Sequence, residues 1–329
     1  VICMPQQGER CVVVDANHTI MHVLQAPPQY HYFGHALIKP AGQNVIVLTL
    51  KRIDFANESD HGVLTIYDYD TLKLIGSVTS AGLNPHEITR IPGSDEVCAV
   101  HYGHISKKDP VRFRNVKDPK LSIYDGKTLA VKREYHLKDI AASISHVRVD
   151  AERKAYCVLQ QYVIVSEDAQ TKTPADRLKR YYDYCSEIIG RPVKFETPPF
   201  IYPGEHPVPL PALRIDTQTG EREIVMAGDD YHLGVQSVEV NTLTQAMVVS
   251  YTGSNALVLR YPGKPAVALK GSAFKLENVR GVSDIPGTPY VLAASSGLGL
   301  ASIDVRDASL VGTAPIEFYE APHMYFTPV

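Results

Sequence analysis

The chain is expected to be all-β, a β-propeller of six blades with a seventh possible, on three observations. Short alternating apolar runs bounded by Gly, Pro, Asn and Asp fill most of its 329 residues. These runs recur in units of four, at a spacing that fits propeller blades better than helical solenoids. Four histidines, His35, His86, His146 and His323, stand at what looks like one position of the repeat.

The first full unit reads HALIKPAGQ, NVIVLTL, GVLTIYDYDTL and KLIGSV. The second reads HEITRIPGSD, EVCAVHYG, KLSIYDGKTL and AVKREYHL. The third begins HVRVDAERK, AYCVLQQY and resumes after an insertion with ALRIDTQTG, EREIVMA. The fourth is VEVNTLTQ, AMVVSYT, ALVLRYPGK and PAVALKG; the fifth is GVSDIPGTP, YVLAASSG, GLASIDVRDASL and VGTAP. Third runs such as IYDYDTL, IYDGKTL and RIDTQTG lead through a polar hairpin turn to the outermost strand. Starts at His35, His86, His146, Ser237, Gly281 and His323 give spacings of 51, 60, 91, 44 and 42 residues. Removing an insertion of about fifty residues returns the long unit to the common size.

His323 opens the last seven residues, so its blade has to be finished by the N-terminal runs ERCVVVDANH and TIMHVLQ. Sharing one blade between the termini closes a ring and leaves no free sheet edge. The expectation is one domain over 1–329. The exception to the pattern is the insertion at 163–212. Thr173 is an N-cap candidate, Pro174 occupies the first helical position, and the segment ends at Gly190. An amphipathic helix followed by a Pro-rich stretch is expected there, as a lid or a docking surface for a protein partner.

Bulk properties narrow the function. A net charge of −3, with 44% apolar and 21% charged residues, gives no reason to expect nucleic acid or an anionic membrane as partner. No apolar run approaches the roughly 18 residues of a membrane span. The chain starts at Val1, which reads as processed or trimmed, so an export signal would be out of view. Five scattered cysteines without a CxxC exclude a disulfide scaffold or a thiolate zinc site, and Cys98 and Cys157 read as core residues. GxSxG, phosphate-loop and HExxH signatures are missing, which leaves enzymatic activity uncertain and less expected than binding.

The innermost strand of a propeller blade lines the central channel, so the four imidazoles would gather at one mouth. Three or four converging neutral imidazoles make a competent site for Fe, Cu or Zn. His35, His86, His146 and His323 are therefore the candidate ligands of a transition metal ion. Glu87, Ser237 and Arg280 are the candidate supporting residues, Glu87 because a carboxylate can orient a ligand ring. The alternatives are structural histidines on a protein-interaction scaffold, or a propeller hydrolase or isomerase. His101 and His104, in HYGH, read as a surface loop, and His18, His22 and His136 as surface residues of outer strands. Lys107, Lys108, Arg112 and Arg114 read as a solvated basic loop.

Phe33-Gly34-His35, Asn84-Pro85-His86-Glu87-Ile88, Ser143 to Asp150 (SISHVRVD), Val235-Gln236-Ser237-Val238 and Arg280-Gly281-Val282 appear in that order. Together they resemble a family of exported bacterial β-propellers that carry a domain of unknown function. Its genes are often found beside those of imelysin-type iron-uptake proteins and dihaem peroxidase-like proteins. The resemblance spans almost the whole chain. It implies a periplasmic, twin-arginine-exported protein with a role in iron or other metal handling, on a propeller usually taken as seven-bladed.

Overall fold

The computed structural model describes residues 2–4, 8–15, 17, 19–53, 59–103, 118–137, 143–160, 162–163, 206–207, 212–225, 235–252, 255–270, 277–295 and 298–315. Among them the regular structure is β-strand, apart from one short 3-10 turn at Pro40–Gly42. The chain divides into two compact units, residues 1–145 with 329, and residues 146–328. The division falls inside a strand, between Ser145 and His146, and not in a linker.

The first unit contains a three-stranded sheet, β1 (Ile2–Cys3), β2 (Arg10–Val14) and β3 (Ile20–Gln25). Two antiparallel four-stranded meanders follow. One is β4 (Tyr30–Ile38), β5 (Val45–Arg52), β6 (Val63–Asp68) and β7 (Leu74–Thr79). The other is β8 (Pro85–Arg90), β9 (Glu96–His101), β10 (Lys120–Asp125) and β11 (Val131–His136). Apolar side chains between these two meanders form one core cluster, including Leu37, Val47, Leu64, Ile88, Val97 and Tyr124. The guanidinium of Arg90 ties β8 to the turn after β4, donating to the carbonyls of Ile38 at 2.5 Å and Lys39 at 3.1 Å.

β12 (Ser143–Val149) starts in the first unit and runs into the second. It opens the meander β12, β13 (Lys154–Gln160), β16 (Ala212–Asp216) and β17 (Arg222–Val225). Between β13 and β16, β14 (Tyr162–Val163) pairs with β15 (His206–Pro207). Two further meanders complete the second unit. They are β18 (Val235–Val240), β19 (Met247–Tyr251), β20 (Ala256–Arg260), β21 (Val267–Lys270), and then β22 (Val282–Asp284), β23 (Tyr290–Ser295), β24 (Gly299–Asp304), β25 (Ser309–Ala314). Val248, Leu257, Leu259, Val282, Val291 and Ile303 form the core between these last two.

Among the described residues, five four-stranded meanders match the five full units of the repeat, and a three-stranded sheet holds the N-terminal runs assigned to the sixth. The strand expected at His323 lies outside the described residues, as do the helix expected at Thr173–Gly190 and the loop holding Lys107, Lys108, Arg112 and Arg114. The N-terminal sheet has one strand more than the sequence suggested, β1. Cys98 and Cys157 are fully buried, as expected, and so is Cys11.

The recurring Tyr-Asp and Ile-Asp endings have a physical basis. Asp68 Oδ1 accepts from the amide and hydroxyl of Thr71, both at 2.7 Å. Asp125 Oδ1 accepts from the amides of Lys127 and Thr128 and the Thr128 hydroxyl at 2.8–3.0 Å. Asp216 Oδ1 accepts from the amides of Gln218 and Thr219, at 2.7 and 3.0 Å. Each carboxylate closes the turn from third to fourth strand by an aspartate-backbone turn.

The inner strands depart from simple alternation where the site residues stand. In β4, Tyr32 pairs with Leu50 and Ala36 with Leu48, so Phe33, Gly34 and His35 oppose Thr49 alone. In β8, Pro85 pairs with His101 and Ile88 with Ala99, so His86 and Glu87 oppose only Val100. In β18, Gln236 is the extra residue. Such bulges bend a strand and re-aim its side chains. The strands begin before the histidines rather than at them: β4 at Tyr30, β8 at Pro85 and β12 at Ser143.

Candidate metal centre

The bulges of β4 and β8 turn His35 and His86 toward one another. Their ring centroids are 4.9 Å apart at an interplanar angle of 79°. His146, the fourth residue of β12, belongs to the second unit. Exposures of 5%, 3% and 1% make all three interior imidazoles. His323, the fourth expected ligand, lies outside the described residues.

His86 and His35 each have one ring nitrogen engaged. His86 Nδ1 donates to the Phe33 carbonyl at 2.7 Å. A carbonyl can only accept, so the proton of the neutral ring sits on Nδ1 and Nε2 keeps its lone pair. His35 Nδ1 lies 3.5 Å from Glu87 Oε1, a carboxylate that is itself buried. Metal-bound histidines characteristically present one nitrogen to the ion and give the other N–H to a carbonyl or carboxylate. The residues present therefore fit a divalent transition metal ion.

The backbone under the rings is fixed by Thr49 and Gly34. Thr49, the residue facing the β4 bulge, is fully buried; its hydroxyl is 2.8 Å from the His86 carbonyl and 3.2 Å from the His35 carbonyl. One hydroxyl proton is thus shared between equivalent points of two neighbouring meanders. Gly34 has φ +110°, and a Cβ there would lie 2.9 Å from His86 Cε1 and 3.3 Å from its Nδ1. No other residue allows β4 so close to the ring.

Aromatic groups wall the cluster. Phe33 meets His86 edge-on at 4.8 Å and Tyr102 at 5.1 Å, and Tyr102 lies 4.7 Å from His86. Phe33 is buried, and Tyr102 is only partly so. On the Phe33 face stands the ammonium of Lys51, 4.4 Å from the ring centroid and buried. The sequence reading missed Thr49, Phe33, Tyr102 and Lys51. Lys51 had one signal, a charge ending the apolar run VIVLTLK.

The other sequence candidates sit elsewhere. Ser237 is buried, and its amide donates to Ser250 Oγ at 3.0 Å, whose hydroxyl donates on to the Arg280 carbonyl. This repeats in the second unit the hydroxyl link that Thr49 makes in the first. The Arg280 guanidinium donates through Nε to Asn278 Oδ1 at 3.2 Å. His101 corrects the expectation of a surface loop: it is fully buried at the end of β9, because its ring packs over Gly82, where any Cβ would fall 2.3 Å from it. Its Nε2 donates to the Ser80 carbonyl at 3.0 Å. Burial, reinforced by the Lys120 ammonium, holds its pKa down at about 3. His22 and His136 are exposed on outer strands, as expected, while His18 and His104 lie outside the described residues.

Repeated four-stranded meanders with bulged inner strands define a β-propeller, and solved structures bear this out. A nidogen/laminin complex matches over 95% of this chain and 92% of its own, at 10% identity and a TM-score of 0.52. U3-55K matches over 99% and 81%, at 8% identity and a TM-score of 0.60. The WD40 repeats of RRP9 match over 99% and 80%, also at 8% identity and 0.60. At such identity the likeness is one of fold alone. The chain belongs to the DUF1513 family, described as a protein of unknown function, whose profile matches residues 6–174. No curated protein matches it.

Proposed function

We propose that this propeller binds a transition metal ion, Fe, Cu or Zn, through His35, His86 and His146, with His323 as fourth ligand. The observation that carries the reading is the approach of two buried imidazoles, His35 and His86, whose ring centroids stand 4.9 Å apart. A structural histidine needs only one partner for each ring N–H, and nothing in that role asks the two rings to turn toward one another. Glu87 and the Phe33 carbonyl orient the His35 and His86 rings, and Thr49 fixes the strands that carry them. Ser237 and Arg280 support the corresponding strands of the second unit. The family resemblance extends the reading to a periplasmic protein in iron or other metal handling.

The test is metal analysis of protein purified without an affinity tag and exposed to Fe, Cu and Zn in turn. The expected result is about one ion per chain, with a rise in melting temperature, since a ligand at a hundredfold its Kd stabilises by about 2.7 kcal/mol. His86→Ala and His35→Ala should each abolish the stoichiometric ion. Protein that binds none of the three metals, with an unchanged melting temperature, would sink the reading.

A second reading, a protein-interaction scaffold, is favoured by one observation. The outer strand β3 exposes Ile20, Met21 and Val23, each 47% or more accessible, a cluster that soluble surfaces usually avoid. This reading predicts that His86→Ala leaves partner capture intact, and it assigns the partner to β3 or to the 163–212 insertion. No helix among the described residues is long and apolar enough to cross a membrane.

A further inference from the structure

We propose that Arg280, Asn278 and Asn255 form a receptor for a small oxyanion, a phosphate or a carboxylate; the inference does not depend on the metal reading. All three residues belong to the second unit. The starting observation is a guanidinium with an unused edge. Arg148, Arg214 and Arg306 in the same unit each give theirs to a carboxylate, of Glu239, Glu223 and Asp304 respectively. Arg280 is half-buried and gives only its Nε–H, to Asn278 Oδ1 at 3.2 Å. The remaining N–H donors of its fork meet no acceptor among the described residues. Glu277, three residues before it, is exposed to solvent, where its charge is screened.

The acceptors beside the arginine are already engaged. Asn278 Oδ1 receives the Arg280 Nε–H, and Asn255 Oδ1 receives the backbone N–H of Asn278 at 2.7 Å. Both partners can only donate, so each amide must turn its oxygen to them and keep its NH2 group for another acceptor. Three contiguous side chains therefore offer N–H donors, and every oxygen among them is accepting a bond within the group. Such a set selects oxyanions, which a guanidinium holds through paired, charge-assisted N–H bonds. Both asparagines have φ +47°, a conformation that short amide side chains tolerate, but this backbone demand does not extend to position 280.

The arginine stands on a rigid mount. Val279 is fully buried, and its carbonyl accepts from the Thr252 hydroxyl at 2.7 Å. The Arg280 amide donates to the Ala294 carbonyl at 3.1 Å, and the Ala294 amide returns a bond to the Gly281 carbonyl at 2.9 Å. The Ser250 hydroxyl donates to the carbonyl of Arg280 itself. With this backbone tied to β19 and β23, and Nε held by Asn278, the fork is oriented before a ligand arrives. Orientation in advance lowers the entropic cost of binding.

The experiment titrates the full chain with sodium phosphate and, separately, with sodium acetate, at an ionic strength held constant with chloride. Backbone and arginine Nε–H resonances are followed by NMR. Saturable shifts at Arg280 and Asn278 are expected, and the anion that binds more tightly identifies the ligand as phosphate or carboxylate. Arg280→Lys keeps the charge but loses the fork, and should weaken binding about tenfold. Asn255→Asp can still accept from the Asn278 amide, but it puts a carboxylate oxygen where an NH2 donor stood and should weaken binding by about tenfold or more. No saturable shift with either anion would overturn the proposal. Equal affinity in the wild type and folded Arg280→Lys would overturn the role of the fork, and equal affinity in folded Asn255→Asp that of the amide donors.

Discussion

At Gly34 the missing side chain and the backbone conformation act together on one imidazole. Its φ of +110° is closed to L-residues without strain, and the space a methyl group would take is filled by His86 Cε1 at 2.9 Å. Gly34→Ala therefore has to move either β4 or the His86 ring. A non-glycine residue in such a conformation costs about 1–3 kcal/mol, and displacing the ring breaks the 2.7 Å bond from Nδ1 to the Phe33 carbonyl. The expected outcome is a destabilisation of that order in denaturant unfolding, and metal affinity lowered at least tenfold by calorimetric titration. Unchanged affinity would mean that the ring position does not govern the site. Thr49 is the counterpart on the facing strand. Its hydroxyl ties the carbonyls of His35 and His86, so the two ligand-bearing strands are positioned by the residue that the bulge surrounds.

At the scale of elements, the turns after the third strands were legible in the sequence, and the inner-strand bulges were not. Asp68, Asp125 and Asp216 could be read from YDYDTL, YDGKTL and IDTQTG because an Asx turn is local: carboxylate and amides lie within three residues. A bulge depends on what the opposite strand offers. Nothing in FGHALI shows that three of its residues will face Thr49 alone, or in PHEITR that His86 and Glu87 will both be buried. Strand alternation places Glu87 away from His86, and the carboxylate does go to a different ring, that of His35. The repeat placed His35 and His86 beside one another, as their rings stand, because equivalent positions in equivalent meanders need no register to be known. His101 was misread for the opposite reason: its environment comes from Gly82, Ser80 and Tyr124, which no repeat links to HYGH. The turns themselves can be tested. The Thr128 amide and hydroxyl, with the Lys127 amide, hold the Asp125 carboxyl below its usual range. Its contribution is therefore present above about pH 4 and lost as pH falls below that. Asp125→Ala should lower the melting temperature at neutral pH, and Asp125→Asn, which keeps an accepting oxygen, should lower it less. Equal losses in the two variants would show that the oxygen's hydrogen bonds are not what closes the turn.

For the whole molecule, the acid limb of stability is where a single interior group becomes visible in a global measurement. His101 has its pKa held down at about 3, first by burial and then by the nearby Lys120 ammonium, against about 6.5 in an unfolded chain. The folded state resists a proton that the unfolded state accepts throughout that interval. The sign follows directly: the contribution is fully present above about pH 6.5 and drains away as pH falls toward 3, with a slope of up to about 1.4 kcal/mol per pH unit. The charges facing the ring leave this direction intact, because Lys120 opposes protonation and Asp118 favours it only weakly beside the loss of hydration. His101→Gln removes the titrating group while an amide N–H remains to donate to the Ser80 carbonyl, where the Tyr124 hydroxyl also donates at 2.6 Å. Urea unfolding at intervals between pH 7 and pH 4.5 should give wild-type stability falling more steeply than that of the variant, the two curves converging as pH decreases. The same series in metal-loaded protein separates His101 from the candidate ligands, since an ion bound to His35, His86 and His146 excludes their protons but leaves His101 to titrate. Parallel curves for wild type and variant, with and without metal, would place the acid sensitivity of the fold in groups other than this histidine.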